Sequence, residues 1–492
     1  MTIPKEVQTI IEKLNRAGFE AFAVGGCVRD LLLERMPADW DVATSAKPEE
    51  IQKLFPKNFY ANEFGTVTVL CEGEIKEVEV TTYRVDAQYS DKRHPDEVKY
   101  TTSLKEDLAR RDFTINAMAL SLTSDRVNRE FGADIVKIED LVVIDPFGGI
   151  KDLDAKVIRA VGKAAERFDE DALRLLRAVR LAAKLGFTIE EKTQAALVKQ
   201  AADIAAVSKE RIRDELVKIV MSDKPESGFN WLQQTGLLVR ILPELEEGVG
   251  KEQNKHHKYT VFEHSIKSLQ YAAQYGYSLE VRLAALLHDI GKPRTRRIKG
   301  NDFTFYAHDV VGTRMAENVL KRLRFSNEIV KKVSHLVRHH MFYYDVGKVT
   351  EAGARRLLRR VGKENFDDLI KLRIAERKGS GVPKAEPYRL RHLQFLVEKA
   401  AQEPITVGEL AIGGNDLIKE GGFKPSPRLG GVLNALLAEV LDDPAKNKRE
   451  YLLQRASELK DKDTQELKAL GEAAKELEEK KREELIKRKY RV

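Results

Sequence analysis

Phe22-Ala-Val-Gly25-Gly26-Cys-Val-Arg29-Asp30-Leu-Leu-Leu33, followed by Pro37-Ala-Asp39-Trp-Asp41-Val-Ala-Thr44, reads as a short buried strand, a glycine turn, a helix, a second turn and a second strand. Side chains alternate across a strand, so a strand that begins at Asp39 points the carboxylates of Asp39 and Asp41 to one face. Two carboxylates side by side repel each other and lose hydration when buried, which argues for a cation between them. Hard oxygen ligands at this spacing suit Mg²⁺, which keeps some of its waters and takes further oxygens from substrate phosphates. Gly25 and Gly26 let the backbone come close to a phosphate, whose charge Arg29 and the start of the helix favour. The plainer alternative is a tight turn followed by solvated acids. The turn, the arginine and the paired acids within about 20 residues favour the phosphate-and-metal site.

The chain of 492 residues is 33% charged and 42% hydrophobic, the composition of a globular protein with room for several domains. Its formal charge of +7 permits a nucleic-acid partner without requiring one. Two cysteines, Cys27 and Cys71, exclude a disulfide framework and a cysteine zinc cluster, and a reducing cytoplasm fits. The first 20 residues carry Ile3, Val7, Ile10, Ile11 and Leu14 at helical spacing among charges, an amphipathic helix rather than a signal peptide. No apolar run approaches the ~18 residues that would span a membrane. Oligomeric state is left open.

Residues 20–150 mix strand and helix patterns. Phe64 to Cys71 and Ile75 to Tyr83 read as a hairpin around Glu72-Gly73-Glu74. On its second strand Glu79 is a candidate third carboxylate facing Asp39 and Asp41, or simply part of an exposed strand face. Arg84 to Pro95 is polar and without period, a loop. In Arg110-Arg111-Asp112-Phe-Thr-Ile-Asn116-Ala117 a guanidinium beside the acidic pair can clamp phosphate oxygens bidentately. From about 151 helices dominate. Ala172, Leu175, Leu176, Val179 and Ala183 form a core stripe, and Asp171, Arg174, Arg177 and Arg180 step by three along the same expected helix. Taken alone, that polar stripe reads as an exposed ion-pair ladder. Residues 208–220 begin a further capped helix. Between His256 and His340 lie eight of the ten histidines. His264, the adjacent pair His288-Asp289, and His308, His339 and His340 have the character of a divalent-metal cluster.

These pieces in this order resemble the bacterial-type (class II) CCA-adding tRNA nucleotidyltransferases and their poly(A) polymerase relatives with an HD domain. The resemblance rests on Gly25-Gly26-Cys-Val-Arg29-Asp30, Asp39-Trp-Asp41, Arg110-Arg111-Asp112-Phe-Thr-Ile-Asn116-Ala117 and Glu170-Asp171-Ala-Leu-Arg174. It implies an α+β fold in which a nucleotidyltransferase head with a mixed sheet precedes all-α neck, body and tail. The expected divisions are a head at 1–150, a base-reading neck at 151–225, a body with the HD segment at 226–380, a tRNA-contacting region at 381–460 and a charged tail at 461–492. It implies template-independent addition of C, C and A to the tRNA 3′ end from CTP and ATP. Asp39 and Asp41 would hold catalytic Mg²⁺. Gly26, Arg29 and Arg111 would hold sugar and triphosphate. Asp171 and Arg174 would read the base, displacing the ladder reading, with Arg177 and Arg180 as further nucleotide contacts. His264, His288 and Asp289 match three ligands of a second divalent metal, with Glu376 where the family's later acidic ligand falls. The head motifs barely separate CCA addition from adenosine-only addition, although the Arg84–Pro95 loop resembles that of full CCA-adding members. An HD phosphohydrolase with a degenerate head and a non-catalytic RNA-binding protein are the readings from other classes.

Overall fold

The computed structural model describes residues 3–60, 65–87, 97–122, 131, 134–138, 141–253, 258–300, 302–342, 344–347, 349–381, 386–401, 407–442, 444–460, 462 and 466. The chain divides into two compact units, Met1–His340 with Lys371–Pro383, and Met341–Ile370 with Lys384–Val492.

The first unit opens with the amphipathic helix Lys5–Arg16, whose Val7, Ile10, Ile11 and Leu14 are buried. Strands β1 (Ala21–Val24), β2 (Asp41–Thr44), β3 (Asn58–Tyr60), β4 (Thr66–Leu70) and β5 (Glu77–Thr82) follow in chain order. β6 (Arg84–Ala87) and β7 (Glu97–Tyr100) pair with each other, and β8 (Ala119–Ser121), β9 (Ile135–Ile138) and β10 (Leu141–Ile144) follow. Eight of these ten form one mixed sheet in the order β3-β4-β5-β2-β1-β8-β10-β9. Its central pair β1–β2 is antiparallel and β2–β5 is parallel, in a register that sets Asp41 beside Glu79. Ala23, Val24, Val42 and Ala43 are buried on both faces of the central strands, whereas β5 alternates buried Val78 and Val80 with exposed Glu77 and Glu79, so a one-residue slip there would turn its valines outward.

Several local expectations are corrected. β2 begins at Asp41, so Asp39 lies in the bend before it and is exposed, and strand alternation places only Asp41. Arg84–Ala87 is a strand rather than loop; the remainder of that stretch, 88–96, lies outside the described residues, as does nearly all of the 461–492 tail. The helix after the glycine turn is Gly26–Leu32, with Gly25 as its cap at φ 82°. At seven residues it is too short to lend a phosphate much dipole, so the basic side chains carry that part of the reading.

Beyond the sheet, helix Ala164–Glu170 ends at Asp171, whose backbone is extended (φ −144°, ψ 106°), and a new helix runs Leu173–Leu185. Asp171 is therefore not on the arginine helix but at its entrance, where Oδ1 accepts the N–H of Leu173 at 3.0 Å. The expected core stripe Ala172, Leu175, Leu176, Val179 and Ala183 is fully buried. Helix Lys209–Val220 starts after Ser208, although that hydroxyl makes no capping bond. Thr260 and Glu263 form a capping box at the head of helix Val261–Gln274. The second unit is helical around Leu417, Val432, Leu436, Val440, Leu452 and Leu459.

Candidate active site and HD cluster

One cleft of about 540 Å³ gathers what the sequence had scattered. Gly25, Gly26, Arg29, Asp39, Asp41, Arg111, Asp171, Arg174, Arg177 and Arg180 all line it. Eight basic side chains against five acidic ones give its walls a positive balance suited to a polyanion.

The floor is acidic. Asp41 leaves the edge of β2 half-buried, and burial, reinforced by the neighbouring Asp39 charge, raises its pKa while Arg111 opposes the shift. Glu79, paired in register with Asp41, is raised by burial and then by Asp41 and Asp39. Among the described residues no hydrogen bond or ion pair is formed by the carboxylates of Asp39 and Asp41. Adjacent acids with unsatisfied lone pairs, with Asp41 and Glu79 both pushed up, have the donor set of a divalent-cation site.

The glycine turn is required by close approach. A Cβ at Gly25 would lie 2.8 Å from Arg111 Nη1 and 3.7 Å from Asp41 Oδ2, and the residue has positive φ. Arg111 is therefore pressed against the turn and beside the acids. Its Nη2 is 3.3 Å from Asp107 Oδ2, and Arg110 forks onto Asp107 Oδ1 through Nε and Nη2 at 3.0 and 2.7 Å. Asp107, fully buried, fixes both arginines.

A buried relay ties the glycine helix to the arginine helix. Arg29 donates to Asp30 at 2.8 Å and to Asn116 Oδ1 at 2.7 Å, Asn116 donates to Asp112 Oδ1 at 3.2 Å, and Arg177 donates to Asp112 Oδ2 at 2.7 Å. Burial opposes the charge on Asp112, but Arg177 and Arg174 prevail and hold its pKa at about 2. Arg180 pairs with the buried Glu215 at 2.8 Å.

On the far wall, Arg174 donates to Glu170 at 2.5 Å and to the carbonyls of Arg167 and Arg110 at 3.1 and 2.9 Å. Asp171 Oδ2 accepts Arg211 Nη2 at 2.7 Å. Each carboxylate oxygen has a second lone pair and Arg174 has five N–H donors, so neither residue is exhausted by these bonds. Sequence reading missed Arg211 and Lys184 as lining residues. Lys184 follows Arg177 by seven positions, a face-sharing spacing that would have found it; Arg211 carries no such signal.

The histidine cluster is a separate feature of the same unit. His264, His288 and Glu376 form one group of converging ligand atoms, and Asp289, His308 and His340 a second. His264 Nε2 lies 3.0 Å from His288 Nε2, and His308 Nε2 lies 3.2 Å from His340 Nε2. The Nδ1 atoms of His288, His308 and His340 each face a backbone carbonyl at 2.9, 2.8 and 2.7 Å. A carbonyl only accepts, so these rings carry a proton on Nδ1 and turn their Nε2 atoms inward. Burial, then the neighbouring His288, pushes His264 down to about 3, and the same two causes bring His340 to about 4. Burial works against a charge on His288, but Asp289 outweighs it and raises that pKa, and imidazole nitrogens converging beside Asp289 have the donor set of a metal cage. Lys292 Nζ reaches Asp289 Oδ2 at 2.7 Å and supplies positive charge there. His339, expected in the set, is a correction: it packs against His335, ring centroids 4.6 Å apart, away from the cluster.

Among the described residues no helix is long and apolar enough to cross a membrane, and both cysteines are free. Residues 21–159 match the Poly A polymerase head domain, 186–248 the family described as "Probable RNA and SrmB- binding site of polymerase A", and 261–376 the HD domain. The CCA-adding enzyme of Lactobacillus delbrueckii subsp. bulgaricus is 35% identical over 443 residues, covering 90% of this chain and 94% of that one. That of Enterococcus faecalis is 33% identical over 476 residues, covering 94% and 98%. Among solved structures, the Bacillus stearothermophilus CCA-adding enzyme in complex with CTP is 30% identical with a TM-score of 0.59, covering 94% of this chain and 98% of that one. The Thermotoga maritima CCA-adding enzyme complexed with tRNA shares the fold at 20% identity and a TM-score of 0.51, covering 92% and 94%. With relatives this similar across nearly their whole length, the chain belongs to the family of CCA-adding enzymes.

Proposed function

We propose that this cleft adds C, C and A in turn to the 3′ end of tRNA, taking CTP and ATP as substrates in the cytoplasm. The observation that carries the proposal is the convergence of the acidic pair, the phosphate-binding arginines and the Asp171–Arg174 pair on one cleft. Asp39 and Asp41 would hold Mg²⁺, with Glu79 beside them. Bound there, Mg²⁺ supplies activation of the tRNA 3′-hydroxyl and neutralisation of the pyrophosphate leaving group. Gly25 and Gly26 leave room for the triphosphate at the backbone, Arg111 faces its charge, and Arg29 holds the turn through Asn116. Arg177 and Arg180 extend the basic wall toward the sugar and phosphates.

Base choice follows from hydrogen-bond polarity. Cytosine and adenine both present a ring-nitrogen acceptor beside an exocyclic amino donor. Arg174 as donor beside Asp171 as acceptor matches both. Uracil and guanine reverse the pattern and would set donor against donor. The break between the two helices serves this reading, since it holds Asp171 at the entrance of the helix that carries Arg174, and Arg211 fixes the carboxylate from the far side. We keep the five-part division at 150, 225, 380 and 460 as the functional subdivision. The HD cluster would hold a second divalent cation on His264, His288, Asp289, His308, His340 and Glu376.

The test is Asp41→Ala in the purified protein with Mg²⁺, CTP, ATP and tRNA lacking its 3′ end. Addition of both nucleotides is expected to vanish while tRNA binding survives; retained addition refutes the metal assignment. A protein that extends only tRNA already ending in CC would be an adenosine-only enzyme.

A further inference from the structure

A second cavity, of about 670 Å³, lies at the far end of the arginine helix and belongs to neither the cleft nor the HD cluster. It opens where Gly186 ends helix Leu173–Leu185, on the order of 18 Å along that helix from Arg174. Its walls are two helices facing each other with amides. Pro225–Gln234 contributes Asn230 and Gln234, and Val261–Gln274 contributes Gln270 and Gln274 at the same i,i+4 spacing. Gln270 is engaged, accepting the N–H of Glu226 at 3.3 Å and donating to the carbonyl of Asp223 at 2.8 Å. The side-chain amides of Asn230, Gln234 and Gln274 make no hydrogen bond among the described residues.

Gln234 and Gln274 are exposed and Asn230 is half-buried, so water meets these amides in the free protein, and a neutral polar edge that displaces it finds paired donors and acceptors. Beside them stands the half-buried indole of Trp231, one residue from Asn230. Lys224 closes the rim, its ammonium 2.8 Å from where a Cβ at Gly186 would stand, so the glycine gives it room. Lys224 forms no ion pair among the described residues, whereas Glu226 is neutralised by Lys267 at 2.7 Å. The wall thus combines an aromatic face, amide readers and one uncompensated cation. These are the three groups that hold an unstacked RNA nucleotide, whose base stacks, whose edge and 2′-hydroxyl exchange hydrogen bonds, and whose phosphate is anionic.

We infer that this amide-lined cavity is an RNA subsite that grips one unpaired nucleotide of the tRNA substrate at a fixed distance from the base-reading pair. The inference rests on the tRNA reading above. Most of the wall, Gly186 to Gln234, falls inside the segment that matches the RNA- and SrmB-binding family. A single rigid helix joining the two sites would set the register between the gripped nucleotide and the reacting 3′ end.

The chain has two tryptophans, and the other, Trp40, is buried in the head. Intrinsic fluorescence of the full-length protein therefore reports the cavity, with Trp231→Phe giving the Trp40 baseline. Saturating tRNA without its 3′ end, in the absence of nucleotides, is expected to quench the Trp231 component. In CTP addition, Gln234→Ala and Asn230→Ala are each expected to raise KM for tRNA roughly tenfold, the scale of one lost base contact. KM for CTP and the melting temperature should stay put. Emission unmoved by tRNA, or a tRNA KM within twofold of wild type in both variants, overturns the inference. Because the fluorescence titration needs no turnover, it separates failure of this subsite from failure of the CCA-adding reading.

Discussion

Replacing Asp112 by Asn keeps its shape and removes the charge that binds the arginine helix to the head. The carboxylate is buried, takes Arg177 at 2.7 Å and Asn116 at 3.2 Å, and has its pKa pulled from 3.8 to about 2. A shift of that size is worth about 2 kcal/mol of folding free energy. The sign is set by a depressed folded-state pKa: the contribution is complete above the unfolded value and is lost as pH falls through the folded one. The expected difference between wild type and Asp112→Asn is therefore about 2 kcal/mol at pH 7, about half of that near pH 3, and little at pH 2. Stranding the Arg177 charge adds to the loss at neutral pH. Equilibrium denaturant unfolding of both proteins at pH 7, 5, 4 and 3 measures it. A difference that stays constant from pH 7 to 3, or that never exceeds about 0.5 kcal/mol, would refute the claim that the Asp112 charge holds this joint.

Three further outcomes follow from the geometry. Arg174→Ala should erode rejection of UTP, because a mismatched buried donor costs about 1–3 kcal/mol, and discrimination should fall by roughly five- to 150-fold in competition with CTP; unchanged UTP exclusion removes Arg174 from base reading. Gly25→Ala introduces a Cβ 2.8 Å from Arg111 Nη1 at a backbone φ of 82°, so kcat for addition should fall at least about tenfold while tRNA affinity holds, and a fully active variant would show that Arg111 need not stand against the turn. His308→Gln should weaken Mn²⁺ binding, measured by calorimetry, without slowing CTP addition; equal Mn²⁺ affinity would remove His308 from the cage.

The parts of this molecule that were legible in the sequence are those whose meaning is local. The strand–glycine–helix–strand order, the acidic pair and the buried stripe of the arginine helix all come from spacings of a few residues. Asp171 shows where local reading fails. Its three-residue step to Arg174 is as consistent with a continuing helix as with a break, because an aspartate can sit mid-helix or turn its carboxylate onto the next N–H. The extended backbone at Asp171 chooses the second, and Arg211, 40 residues away, joins the Leu173 N–H in securing it.

The histidines make the opposite case, since there the deciding pattern was local and went unused. Counting histidines puts His339 and His340 on equal terms. Helix Asn327–His339 buries Val330, Val333 and Val337, and the steps of four and three from Val333 through Val337 lead to His340, not His339. His340 therefore continues the apolar face into the cluster, while His339 falls four residues after His335 on the other side, where the two rings meet. The helical period separates His340 from its neighbour without coordinates. What it cannot supply is the convergence of residues 264, 288, 289, 308, 340 and 376, which depends on how several helices pack and on no spacing within any one of them.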